Sequence, residues 1–413
     1  MDNRRVTIVG AGVIGVCCAA YLQRAGCRVT LIDPRPVGTA CSFGNAGVVA
    51  PGACLPLAMP GMLRRIPSYL VDPMGPLAIR WRNLPRSIPW LLAWVGASAP
   101  GRVRRISSAM RALHAPAFEC LQPLLAGAGI ADIVERSGQL YVSRIVDGAV
   151  GSAFAAELLR DAGVDARALG REEIRDLEPV LSDDIVSGLF FPDHGHIRNP
   201  HRLVTRLAEE IVRQGGEVVA DRVKGFECSG GSVTAALCEG GRRPVETLLV
   251  AAGAWSHRLT AQLGTRVPLI AERGYHMTLP NPGPMPRRPI SDVDLRFAST
   301  PMENGLRLAG TVEIADADAP PNYARAQKLI GLGRSMFPGL DATGATQWMG
   351  ARPSLPDGLP VIDRSPKFSN VFLAFGHAHN GVMGAGPTGR LVADLVTGRT
   401  PFIDPTPYSL ARL

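Results

Sequence analysis

Lysine is nearly absent from this chain of 413 residues: Lys224, Lys328 and Lys367 are the only three among 44 basic residues, and the rest are arginine. The net charge of +8 is thus an arginine charge. Charge alone does not mark a nucleic-acid binder, which would also show a basic stripe interleaved with aromatics. Only residues 76–105 have that look, with Trp81, Trp90 and Trp94 among Arg80, Arg82, Arg86, Arg102, Arg104 and Arg105; no nucleic-acid partner is expected. Metal-site spacing is also missing. The eight cysteines (Cys17, Cys18, Cys27, Cys41, Cys54, Cys120, Cys228 and Cys238) include no C-x-x-C pair and match no zinc pattern. No metal is expected, and free thiols in a reducing compartment are. No run of 18 apolar residues occurs, so no transmembrane helix is expected. A strand begins by residue 5, leaving no room for the apolar core of a signal peptide, and the expected location is the cytoplasm.

What is present is a globular composition, 46% hydrophobic and 19% charged, over a length that calls for two or three domains. Residues 5–9 (RVTIV) read as a buried strand, Gly10 to Gly15 as a glycine turn, residues 13–25 as a helix ended by Gly26, and residues 28–32 as a second strand closed by Asp33. Residues 34–62 read as a long loop of the kind that usually carries function. Asn199 caps a helix with Pro200 in its first turn that runs to about Gln214. Residues 217–220, 232–238 and 245–251 read as strands, and residues 267–350 as strands with a helix near 322–336. Residues 371–375 form a last strand, followed by a glycine-rich loop and a helix from about Thr388 to Val396.

The opening unit carries the fingerprint Gly10-x-Gly12-x-x-Gly15, with Asp33 lying 18 positions after Gly15. Gly10 permits the tight turn, Gly12 lets backbone approach a pyrophosphate, and Gly15 lets helix and strand pack closely. The helix N-terminus favours the anion, and Asp33 can accept hydrogen bonds from ribose hydroxyls. The motif specifies an ADP-containing cofactor and leaves NAD and FAD open.

Later segments break that tie. Ser42-Phe43-Gly44-Asn45-Ala46-Gly47 resembles the flavin-contacting segment of the D-amino acid oxidase superfamily. Thr39 to Pro51 followed by Pro76 to Trp81 (PLAIRW) resembles its D-amino acid dehydrogenase branch. Glu272-Arg273-Gly274-Tyr275-His276, Leu306 to Thr311, Trp348 to Pro353, Pro356 to Pro360 and Gly376 to Gly381 match in the same order. The resemblance implies an α/β fold in two parts: a discontinuous Rossmann-like FAD-binding domain (residues 1–48, 197–266 and 354–413) and an α+β substrate domain with a mixed antiparallel sheet (residues 49–196 and 267–353). It also implies non-covalent FAD, since no cysteine stands near Arg352. The expected cofactor contacts are Gly10, Ala11, Gly12, Val13, Ile14 and Gly15, with Asp33 and Pro34. From the loop come Ser42, Asn45, Ala46, Gly47 and Val48. Val223, Ala252, Gly253 and Trp255 are expected near adenine and its strand end, and Gly376, His379, Asn380, Gly381 and Val382 at the C-terminal flavin loop.

For the substrate, the resemblance picks Arg352 as the cation for an amino-acid carboxylate, a task suited to the planar fork of arginine. Tyr275 and His276 are adjacent on a strand, so one of the two points into the site; Tyr275 is the expected one, sharing the carboxylate with Arg352. His379 stands where the glycine oxidase branch has arginine, which argues against glycine specificity. The implied reaction is hydride transfer from the substrate Cα to flavin N5, giving an imine that hydrolyses to keto acid and ammonia. A proline-like substrate, D-proline or a hydroxyproline isomer, would give a cyclic imine, and either course belongs to amino-acid catabolism. Residues 76–105 are the candidate for contact with the inner face of the cell membrane, where a quinone or other carrier would take the electrons, or with another subunit. The alternatives are an oxygen-using glycine- or sarcosine-type oxidase, and a flavin subunit of a multi-chain dehydrogenase.

Overall fold

The computed structural model describes residues 4–61, 75, 77–80 and 83–413. Pro76, Trp81 and Arg82 of the segments named above lie outside the described residues.

Five strands of the opening style line up in parallel, in the spatial order Glu217–Ala220, Arg28–Asp33, Arg5–Val9, Thr247–Val250 and Val371–Phe375; Val361–Arg364 joins the edge antiparallel. The inner strands Thr247–Val250 and Val371–Phe375 are buried at every position, because helices or a small sheet cover both faces. The helices Val13–Arg24, Pro200–Arg213 and Gly381–Thr397 share one core on one side. The three-stranded sheet from Val223 to Pro244 and the helix Ser256–Gln262 contribute to the core on the other. Asn199 caps its helix as expected, accepting from Arg202 N at 2.9 Å.

The last helix begins earlier than the sequence suggested. Gly381, Gly384 and Gly386, read as loop, are its first turns, and the helix spans Gly381–Thr397. Glycine is a poor helix former, but here it buys closeness: a Cβ on Gly389 would fall 2.6 Å from Cys17 O, and one on Gly386 would fall 3.0 Å from the carbonyl carbon of Cys120. The helix therefore presses directly on Val13–Arg24 and Ala117–Ala128. The helices Pro100–His114 and Ala117–Ala128, which fall in the substrate segment by sequence position, bury Ile106, Leu113, Leu121 and Leu125 in the same core as the nucleotide-binding helices.

The second sheet is nine-stranded and mixed. Next to one edge runs Ile270–Leu279, flanked antiparallel by the edge strand Thr346–Ser354 and by Gly305–Ile314. Ile290–Asp292 pairs in parallel with Gln139–Ser143, and Leu77–Ile79 with Gly305–Ile314. The helix Leu84–Ala97 attaches to the end of this sheet through Trp90, whose Nε1 donates to Ser354 O at 3.2 Å and whose ring stacks on Trp94. Trp90 thus turns inward rather than to an outer surface, where its indole N–H finds a buried acceptor, and Trp94 is half-buried against it.

Gly389→Ala is expected to cost about 1–3 kcal/mol, because backbone must move to admit the methyl. Gly127→Ala, at a helical position open to solvent, is expected to be neutral or stabilising. Thermal unfolding of the two variants checks the difference.

Candidate active site

The first glycines shape a cavity of about 360 Å³ at the C-terminal ends of the parallel strands. Gly10 has φ +116°, and a Cβ there would fall 2.3 Å from Ala251 O; a Cβ on Gly15 would fall 2.0 Å from Gly10 O. The cavity runs past Gly10, Gly12, Val13 and Ile14 to Asp33 and Pro34. Val13 N donates to Ser42 Oγ at 2.9 Å, and Val16 N makes the first intrahelical bond, to Gly12 O. Ile14 and Gly15 keep N–H groups without an intrahelical acceptor, as at any helix start. Ala11 N and Arg35 N each donate to an oxygen of Asp33 at 2.9 Å, which fixes the carboxylate while leaving lone pairs for hydroxyls.

At one end Val223, Ala252, Gly253 and Trp255 line the wall. Arg35 lies 3.8 Å above the Trp255 ring, whose Nε1 donates to Asp318. At the other end stand Cys41, Ser42, Asn45, His377, Ala378, Gly381 and Val382, where the helix Gly381–Thr397 begins. His377 is buried, its Nε2 is paired with Thr388 Oγ1 at 2.8 Å, and its Nδ1 has no partner among the described residues. A glycine cradle, two helix N-termini and an unpartnered ring nitrogen on one wall fit a dinucleotide with a polar ring system at its far end.

The remaining expected contacts sit outside this wall. Ala46, Gly47 and Val48 turn to the strand Gly195–Ile197: Gly47 O accepts from Ile197 N at 2.7 Å, and Val48 pairs with His196. Gly376 abuts Leu355, and Asn380 backs onto a small void with His114. Arg35, Cys41, Arg222, Lys224, Arg258 and Gln262 line the cavity without having been singled out by sequence. Arg35, two positions beyond Asp33, and Cys41, directly before Ser42, could have been found from the motifs; the others arrive by tertiary folding.

Ala351 and Pro353 also line the cavity, and between them Arg352 extends across the neighbouring strand. A Cβ on Gly274 would fall 2.2 Å from Arg352 Cζ, so the guanidinium occupies the space that glycine vacates. Glu272 lies opposite Arg352 in register but forms no ion pair with it; its carboxyl accepts from Ser354 Oγ at 3.0 Å, and burial pushes its pKa up. Among the described residues Arg352 has no hydrogen bond or ion pair.

Strand alternation puts one of Tyr275 and His276 beside Arg352, and it is His276. Tyr275 points into the opposite core, where its hydroxyl donates to Glu313 Oε2 at 2.7 Å and accepts from Asn322 N at 3.1 Å. The expectation that Tyr275 shares a carboxylate with Arg352 is therefore corrected: its hydroxyl is committed on the far face. His276 stacks on Trp348, with ring centroids 5.0 Å apart, and its Nδ1–H donates to Gly44 O at 3.1 Å. Gly44 and Gly350 both owe their lack of a side chain to this indole, because a Cβ on either would fall 2.0 Å from it. Burial first, then Arg307 and Arg352, lower the pKa of His276 to about 3. His379 is exposed by area yet densely surrounded by protein atoms; burial, then Arg352, lower its pKa to about 4. Both rings are neutral at pH 7. No cluster among the described residues could hold a metal ion.

Comparison with known proteins gives this geometry a family. Residues 5–395 match the DAO family of FAD-dependent oxidoreductases. The chain is 38% identical to a D-amino-acid oxidase of Bradyrhizobium diazoefficiens, over all of this chain and 99% of the relative. Among solved structures, L-amino acid deaminase from Proteus vulgaris superposes with a TM-score of 0.76 at 15% identity, covering 100% of this chain and 98% of the other. Glycine oxidase from Geobacillus kaustophilus superposes with a TM-score of 0.73 at 22% identity, covering 99% of each. L-proline dehydrogenase from P. horikoshii gives 0.74 at 18%, covering 98% of this chain and 96% of the other. At such identities these likenesses speak for the fold, while the family match spans nearly the whole chain: this protein belongs to the DAO family of FAD-dependent oxidoreductases.

Proposed function

We propose that the protein oxidises a small D-amino acid at its Cα–N bond. One observation carries this reading: Arg352, a guanidinium with no ion pair among the described residues, lies across Gly274 while its two chain neighbours line the cofactor cavity. A fixed fork of this kind binds a carboxylate through both oxygens. The D configuration is supported by the relative that is 38% identical over its length.

The chain's own residues prepare the reacting centre. Arg352 holds the carboxylate and so fixes where Cα lies. His276 and His379 are neutral and add no positive charge beside the substrate nitrogen. Because His276 donates through Nδ1, its Nε2 carries a lone pair, free to accept from the substrate amine. FAD, when bound, supplies the acceptor for the Cα hydride. The product is an imine, which water converts to keto acid and ammonia; a proline-like substrate gives a cyclic imine.

For the electron acceptor we favour a carrier at a membrane surface. On the helix Leu84–Ala97 the exposed positions among the described side chains are Pro85, Ile88, Pro89, Leu92 and Ala93, all apolar. Residues 73–118 contain no Asp or Glu. Beyond the helix, Arg102 and Arg105 are exposed and make no ion pair among the described residues. An apolar stripe beside unpaired arginines suits an anionic bilayer. No helix of the described residues is long and apolar enough to cross one. The second reading is an oxygen-using oxidase, favoured by the name of the same relative.

Arg352→Ala is expected to raise KM for the amino acid about 100-fold or more, the loss of a charge-assisted bidentate pair, while the flavin absorbance of the purified protein persists. An unchanged KM would move the carboxylate elsewhere. With His276 and His379 neutral above about pH 4, neither ring titrates over pH 5–9, so kcat/KM should rise there with the substrate amine alone. His379→Asn should leave that limb in place. Sedimentation with anionic vesicles should capture the protein and lose Leu92→Glu, with dye-linked activity unaltered. Fast reoxidation of the reduced protein by oxygen in stopped flow would instead select the oxidase.

A further inference from the structure

We propose that Arg307 is a positioning residue, which holds the segment Phe43–Asn45 in place and sets a buried positive charge behind it, on the side away from the cofactor. Arg307 lies on the strand Gly305–Ile314 and is 5% exposed. Its Nη1 donates to Asn45 O at 2.7 Å and to Phe43 O at 3.3 Å. From the adjacent strand His276 donates to Gly44 O at 3.1 Å. Two side chains of the second sheet thus hold three successive carbonyls of a segment whose last residue, Asn45, lines the cofactor cavity together with Ser42 just before the segment.

Two features separate this from an ordinary loop anchor. Arg307 makes no ion pair among the described residues, and its Nε is buried without a partner. A guanidinium out of water and without a carboxylate is costly, so an uncharged anchor would serve stability better. Burial lowers its pKa to about 10, which still leaves it charged at neutral pH. Peptide planarity supplies the second feature. With the carbonyls of residues 43 and 45 turned to Arg307, the N–H groups of Gly44 and Ala46 are turned away from it. Neither finds an acceptor among the described residues. The arrangement sets a fixed cation behind Ser42 and Asn45 on the cavity wall, where it favours negative charge that develops on the cofactor as it accepts electrons. This inference rests on FAD binding, not on which amino acid is oxidised.

The test is Arg307→Met in the FAD-loaded protein, equilibrated with a reference dye of known potential. The ratio of reduced to oxidised flavin at the dye midpoint should fall at least tenfold. With the amino acid as substrate, kcat should fall at least tenfold while KM changes less than threefold, because Arg352 is untouched. Arg307→Lys keeps the charge but not the fork, and should restore most of the dye ratio without restoring kcat. If the methionine variant lowers only the unfolding temperature or FAD content, with the dye ratio at the parent value, the proposal is overturned. Should that variant fail to fold, Arg307→Gln and Arg307→Lys decide it: equal dye ratios in the two would overturn the role of charge.

Discussion

The cavity depends on backbone meeting backbone at Gly10 and Gly15. A side chain at Gly15 would strike Gly10 O, and one at Gly10 would strike Ala251 O, so two parallel strands and the first helix close on each other only because nothing projects between them. That closure aims the start of the helix Val13–Arg24 at the cavity and lets Asp33 reach Ala11 N. The same device recurs at Gly389 and Gly386, where the last helix presses on two others, and at Gly274, Gly44 and Gly350, where the space left by hydrogen admits Arg352 and Trp348. Substrate cation and aromatic wall are seated by absences in their neighbours.

Electrostatics divides the site in two. Along the cofactor cavity the charges are mixed: backbone dipoles and the carboxylate of Asp33 stand with Arg35, Arg222, Lys224 and Arg258. Around the proposed substrate position the groups are cations and neutral rings. Arg352 and Arg307 form no ion pair among the described residues, His276 is held neutral by burial and by both arginines, His379 by burial and by Arg352, and burial pushes the pKa of Glu272 up. A region so poor in negative charge accommodates an anionic substrate group without competition.

The sequence disclosed the nucleotide half well, since its signal is local: strand, glycines, helix and acid fall within residues 5–33 and obey short-range periodicity. It disclosed the order of the substrate segments only through resemblance. Strand alternation predicted that Tyr275 and His276 would part, but both faces of that strand are buried, so no hydrophobic pattern says which is which. Gly386 read as loop because propensity is local, whereas its reason is contact with Cys120, more than 250 positions away. Trp90 and Trp94 looked interfacial by composition; Trp90 answers to the Ser354 carbonyl, a partner invisible in one dimension.

The strand order carries a consequence for how the protein is made. Arg5–Val9 has Arg28–Asp33 as one neighbour from early in synthesis, but its other neighbour is Thr247–Val250, and that strand pairs in turn with Val371–Phe375. A ribosome must therefore release most of the polypeptide before the parallel sheet is continuous. The nascent N-terminal unit meanwhile exposes an unpaired apolar edge of the kind that chaperones shield. The cavity is not walled at both ends until Gly381 and Val382, which line it, have emerged.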